Sequence, residues 1–217
     1  MFESDAASEF QHQHADSAQI HEQALVESPT VVGERSTILP FARVMGHVRI
    51  GDDCLVGHHV TMAPGVILGQ NSRVLDHSLI TSGAILGDDV YCGPFTVFSN
   101  PRRVRVDGPN VSRISPTVLR ERSSIGAHVV IASGVTIGRA AFIEPHCVID
   151  RAIPDYAIMS GNPLKLKGWR CECGQPLQFK QLLETECEAC GTRYHFVAEF
   201  KVEKIKKAHE LNVDKAV

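Results

Sequence analysis

The chain has 217 residues, 43% of them hydrophobic, with a net charge of −3 and a pI near 6.4. That length holds one main domain and a small module, and the charge offers no general attraction to nucleic acid or anionic membrane. No apolar stretch approaches the ~20 residues of a bilayer span and the polar amino terminus lacks a signal-peptide core, so a cytoplasmic enzyme or assembly protein is expected.

Residues 1–18 are polar, carry no periodicity and read as a disordered leader. From Ile20 the pattern changes. An apolar residue recurs at every sixth position: Ile20, Val26, Val32, Ile38, Val44, Ile50, Val56, Met62, Leu68, Val74, Ile80, Leu86, Cys92 and Phe98. At this hydrophobic content such an unbroken run has a chance probability of about 10⁻⁵. Four residues after each anchor the side chain is small or β-branched, from Ala24 and Thr30 through Val90 and Thr96. Glycine often follows the anchor, as at Gly33, Gly51, Gly69 and Gly87. Neither a helix nor an ordinary strand has this period; a stacked coil of short parallel strands does.

After Phe98 the register breaks. Asn100-Pro101 is a turn initiator, and the basic stretch that follows, with Arg102, Arg103 and Arg105, predicts an excursion loop over 101–118. The six-residue series then returns with Leu119, Ile125, Ile131, Ile137, Ile143 and Ile149. Cys54, Cys92 and Cys147 occupy anchor or small-residue positions and read as core fillers. If eighteen residues close one coil, His59 stacks on His77 between Phe41 and Phe95, His58 lies against Asp76, and His128 lies against His146. All four stacked histidines share one edge if Leu119 resumes on the side after Phe98.

The remaining cysteines form two turn-borne pairs, Cys171-Glu-Cys173-Gly and Cys187-Glu-Ala-Cys190-Gly. Four thiolates so spaced fit a closed tetrahedral structural zinc ion (Zn²⁺) in a ribbon, without an open position for catalysis. The predicted organisation is a leader (1–18), a repeat domain (19–168), a zinc ribbon (169–200) and a charged tail or helix (201–217).

The repeat resembles the hexapeptide-repeat acyltransferases over about 19–170. Residues 91–100 and 117–169 look like the sugar-nucleotide N-acetyltransferases that act on UDP-2-acetamido-3-amino-2,3-dideoxy-glucuronate and related amino sugars for surface polysaccharides. The resemblance implies an all-β fold, a three-sided left-handed parallel β-helix. It also implies a homotrimer with active sites between neighbours, and acetyl-CoA lying along a groove. Asn100 matches the asparagine of the family's Phe-Thr-Asn motif, here Phe98-Ser99-Asn100, and is expected to contact the amino sugar or thioester. His77 or His59 is the candidate base. The turn Gly161-Asn162-Pro163 is expected beside the cofactor, with Arg139, Lys165 and Lys167 available to its phosphates. The loop arginines suit an acidic UDP-amino sugar. Many relatives carry a Gln-Asn pair where this chain has His58-His59, and Asn-Asn where it has Asp76-His77, which leaves the exact sugar open. The loop carries no histidine, unlike that of maltose and galactoside O-acetyltransferases, which favours N- over O-acetylation. The competing readings are O-acetylation of a saccharide and a non-catalytic scaffold. A γ-type carbonic anhydrase ranks below both, because no histidine pair is spaced five residues apart.

Overall fold

A computed structural model describes residues 13–99, 116–179, 183–198 and 201–205. From residue 13 to residue 98, and again from residue 118 to residue 149, the chain is a run of two-residue strands joined by four-residue turns. Successive strands go to three different parallel sheets, and partners within a sheet lie eighteen residues apart, as in Ile20↔Ile38 and Val74↔Cys92. Three strands therefore close one coil, and the coils stack into the left-handed β-helix. Sheet 1 runs from Gln13–His14 to Thr136–Ile137, sheet 2 begins at Gln19–Ile20, and sheet 3 runs from Leu25–Val26 to Val148–Ile149.

The second residue of each strand is the sequence anchor and points inward. Ile38, Val56, Met62, Val74, Ile80 and Ile125 are fully buried. The small companion fills the inside of the next bend, and Cys54, Cys92 and Cys147 are buried as expected. Burial pushes the Cys92 thiol up to about 12, so it is an inert filler. At nearly every turn one residue adopts left-handed φ, including Phe41 (62°), His59 (54°), Asp89 (57°) and Asn71 (53°). Glycine after the anchor has a separate cause. At Gly51 a Cβ would stand 2.7 Å from the backbone nitrogen of Gln70 in the next coil.

The excursion preserves the coil. Ile85 pairs with Val118 and Val97 with Val130, a spacing of 33 residues instead of 18. Fifteen residues thus leave the wall and return in register, and Val118–Leu119 resumes on the side that follows Phe98. Asn100 and residues 101–115 lie outside the described residues.

The ends depart from expectation. The β-helix begins inside the stretch read as leader, because Gln13–His14 pairs with Val31–Val32. His14 occupies the anchor position of that first coil, so an apolar count cannot find it. At the other end, Lys201–Lys204 is a strand antiparallel to Arg193–Ala198, where a charged tail or helix was expected. Val202 faces inward between exposed Lys201 and Glu203, a two-residue alternation masked by charge. Residues 206–217 are not among those described. Nor is the ribbon a detached module: sheet 2 continues through Ala157–Ser160 into antiparallel Lys165–Arg170 and Pro176–Leu177.

The inward and outward residues of one strand should differ sharply. Ile80→Ala is expected to cost about 3 kcal/mol in chemical denaturation, and its exposed neighbour Leu79→Ala within about 0.5 kcal/mol.

Candidate functional site

A prism of this kind offers three corner columns, and each has its own chemistry. The corner from sheet 1 to sheet 2 is polar and laddered. Arg35 pairs with Asp53 at 2.7 Å, and Asn71 donates to Asp89 at 2.6 Å.

The corner from sheet 2 to sheet 3 carries a column of six rings. Centroids run Phe41–His59 4.9 Å, His59–His77 4.8 Å, His77–Phe95 4.8 Å, Phe95–His128 4.8 Å and His128–His146 5.1 Å, all near parallel. The two histidine pairs form a single edge across the excursion, as the register predicts. Beside the column, one oxygen of Asp76 accepts the backbone N–H of His58 at 2.8 Å and stands 3.4 Å from its Nδ1.

The corner from sheet 3 to sheet 1 is nearly bare. Its turns are Gly46-His47, Pro64-Gly65, Ser82-Gly83 and Ser133-Gly134. A Cβ on Gly83 would meet nothing within 4 Å, and the other corners hold His, Phe, Asp and Asn at the same positive φ. Left-handed φ favours glycine at Gly65, Gly83 and Gly134, and the result at this corner is a run of small turn residues. The excursion leaves this corner after Ser99. Two coils farther on, ~10 Å away at the inter-strand spacing, a groove of about 700 Å³ opens, lined by Arg151, Ile153, Met159, Leu164, Lys165 and Leu166.

The predicted residues distribute accordingly. His59 and His77 come together on the second corner. Lys165 enters the groove of the third, close in sequence to the exposed turn Gly161-Asn162-Pro163, whose Asn162-Pro163 bond is cis. Arg139 does not join them. It lies at the first corner, where its Nε donates to Glu172 at 2.9 Å and its guanidinium also pairs with Glu121 at 2.8 Å. Two carboxylates thus already compensate its charge. Lys167 is likewise paired, with Glu144.

The family model for bacterial transferase hexapeptide repeats (six repeats) matches residues 29–64 and 116–151, one segment on each side of the excursion. A dTDP-3-amino-3,6-dideoxy-alpha-D-galactopyranose 3-N-acetyltransferase from Aneurinibacillus thermoaerophilus is 40% identical over 80 residues, 37% of this chain and 41% of that protein. The bifunctional protein GlmU of Synechococcus elongatus (strain ATCC 33912 / PCC 7942 / FACHB-805) is 33% identical over 136 residues, 63% of this chain and 28% of its own. The chain thus spans well under half of the length of either relative. Among solved structures, a mutant of AntD, an N-acyltransferase from Bacillus cereus in complex with dTDP-4-amino-4,6-dideoxyglucose and coenzyme A, shares the fold. The TM-score is 0.51 at 16% identity, over 73% of this chain and 83% of that one.

The hexapeptide β-helix is closed at one end by the cysteine module. The Sγ atoms of Cys171, Cys173, Cys187 and Cys190 lie within 4.8 Å of one another, with Cys171–Cys190 at 3.4 Å and Cys173–Cys187 at 3.6 Å. A tetrahedron with ligand distances of ~2.3 Å has edges of ~3.8 Å, so the cage fits a metal ion. Tyr194, fully buried, donates its hydroxyl to Cys171 Sγ at 3.2 Å and accepts the Glu172 N–H at 3.0 Å.

Glu172, between two of the cysteines, is the junction that sequence reasoning missed. Its carboxylate receives Arg139, Arg122 at 3.0 Å, Lys204 at 3.2 Å and the Tyr156 hydroxyl at 3.2 Å. The signal was available: one acid flanked by metal-type cysteines, facing a corner rich in arginine. Arg170 completes the closure by donating to the carbonyls of Ala140 at 2.6 Å, Ala141 at 3.1 Å and Arg122 at 3.0 Å while lying over Phe142. It thereby ties the Lys165–Arg170 strand to the last two turns of the first corner.

Burial alone would raise the Glu172 carboxyl, but Lys204, Arg139 and Arg122 together hold it below the usual carboxylate value. A lowered folded-state value means stabilisation that is full above about pH 4.3 and lost as pH falls through the folded value. Glu172→Gln is expected to destabilise the capped end by roughly 2 kcal/mol at neutral pH and to remove that part of the acid loss, read by pH-dependent thermal melts.

Proposed function

We propose that this chain is an acetyl-CoA-dependent N-acetyltransferase whose acceptor is the amine of a nucleotide-linked amino sugar, a UDP sugar used for surface polysaccharide in the cytoplasm. The observation that carries the reading is the third corner. A lane of mostly small turn residues runs along this corner past Ser99 and ends in an apolar groove flanked by Arg151 and Lys165. An extended thioester cofactor suits such a lane, with its arm against backbone and its phosphates near the two cations. The turn Gly161-Asn162-Pro163 would border the same groove. The similarity to a dTDP-amino sugar N-acetyltransferase supports an amino sugar as acceptor and makes dTDP the natural rival to UDP.

The chemistry needs little apparatus. The amine lone pair attacks the thioester carbonyl, the C–N bond forms, the C–S bond breaks and the nitrogen gives up a proton. Asn100, the residue after Ser99, would donate its amide to the developing oxyanion or the sugar. An imidazole at the second corner would take the proton. Ser99, which precedes that amide, and the imidazoles sit on corners at opposite edges of sheet 3, so the reading needs a neighbouring copy to join the two groups. A homotrimer in which the second corner of one copy meets the third corner of the next would do so. Leu79, Val130 and Val148, exposed on sheet 3, favour such an assembly. The cysteine cage would hold one structural zinc ion through Cys171, Cys173, Cys187 and Cys190, with no open position for substrate.

The test is thiol release from acetyl-CoA with UDP- and dTDP-linked amino sugars. Turnover on an amino sugar, and none on its hydroxyl analogue, is expected; hydroxyl-sugar turnover alone would turn the reading toward O-acetylation. Asn100→Ala should lower kcat about 100-fold with melting nearly unchanged, and parallel losses in both would make Asn100 a structural residue. Elemental analysis should find one zinc per chain, lost in Cys187→Ser, with the melting temperature falling alongside.

A further inference from the structure

We infer that the base for the proposed transfer is His58, oriented by Asp76, and that His59 and His77 serve as a stacked wall beside it. The inference rests on the acetyltransferase reading and names the group within it that moves the proton. A general base needs one nitrogen held by an orienting acceptor and the other open toward substrate. Among the described histidines of the second corner, His58 has that arrangement. Its Nδ1 faces Asp76 Oδ1 at 3.4 Å, its ring is half exposed, and its backbone N–H is anchored by the same oxygen at 2.8 Å. Separations of this size are usual before substrate tightens a site. With Nδ1–H toward the carboxylate, the Nε2 lone pair is the free acceptor.

His59 and His77 are placed differently. Each is covered on both faces by a neighbouring ring, His59 by Phe41 and His77, and His77 by His59 and Phe95. Neither ring has a carboxylate to fix its tautomer. The column presents a wall of ring edges beside His58, at which Phe41 and Phe95 are exposed. The titratable groups facing His58 are Asp76 in the coil above and His59 and His77 alongside. The elements packed against it from below end in Pro40 and Phe41, which carry no charge. In the step itself, the amine nitrogen bonds to the acetyl carbon, the thiolate departs, and the proton passes from nitrogen to His58 Nε2 and on to the thiolate or water.

Asp76 is a positioning residue, and Asp76→Asn separates its two tasks. Asparagine keeps an oxygen for the His58 backbone N–H but removes the carboxylate that faces Nδ1. His58→Asn is expected to lower kcat about 100-fold with KM changed less than threefold and to abolish the acid limb of the pH–rate profile. Asp76→Asn should lower kcat about tenfold with KM changed less than threefold. Wild-type protein that transfers acetyl groups while His58→Asn stays within twofold of it at every pH overturns the assignment but leaves the acetyltransferase reading standing. Wild-type protein that releases no thiol with any nucleotide amino sugar ends both. Nitrogen-15 NMR of the folded wild type gives a readout independent of variants. The Nδ1–H tautomer at His58 is expected, and an Nε2–H tautomer there overturns the inference.

Discussion

Backbone pairing at an interval of eighteen residues governs everything else in this molecule. Each two-residue strand must hydrogen-bond to the strands one coil below and above it, so a side chain can change only where the ladder allows. The second strand residue is committed to the core, the companion to the inner bend, and one turn residue to left-handed φ. That conformation is uncomfortable for a bulky side chain. The ring column shows how the cost is offset, since Phe41 and Phe95 gain stacking partners at 4.8–4.9 Å on the corner that strains them. What remains free are the outward strand residues and the three corners, and there the chain differentiates itself.

The corners do so by opposite means. The first is filled with paired charges, the second with rings, and the third is emptied. The third is the most open, because its left-handed turn positions are mostly met with glycine where the other corners place rings and acids, and a Cβ on Gly83 would meet nothing within 4 Å. An enzyme that lays a long cofactor against its backbone needs such a lane, and the groove with Arg151 and Lys165 lies at its end. With Ser99, which precedes the candidate amide, and the candidate imidazoles on different corners, the proposed chemistry depends on assembly between copies.

A solenoid must also end. The last coil would expose carbonyls and an apolar cross-section to water, a liability like that of a bare sheet edge. Arg170 ties its strand to the last turns of the first corner, while Tyr194 and Tyr156 meet edge to face at 5.2 Å in the interface with the cysteine module. Glu172 ties that module to Arg139 and Arg122 of the β-helix and to Lys204 of the final strand. Because Glu172 lies between two residues of the cysteine cage, the candidate metal site and the end closure share one short segment.

The amino-acid sequence by itself determined the coil, its anchors and its stacking columns, for repetition at a fixed spacing writes the same geometry into every turn. The ring column from Phe41 to His146 and the in-register return at Leu119 were both legible for that reason, and the four cysteines were legible from their spacing. Where repetition stops, legibility stops. The opening coil around His14, the strand at Lys201–Lys204 and the capture of Arg139 by Glu172 each depend on contacts between segments with no shared period. Only the tertiary structure decided that Arg139 belongs to the cap and that the third corner leads to a groove. Ion pairs and empty space depend on which distant groups meet, and that is set by the folded arrangement of the whole chain.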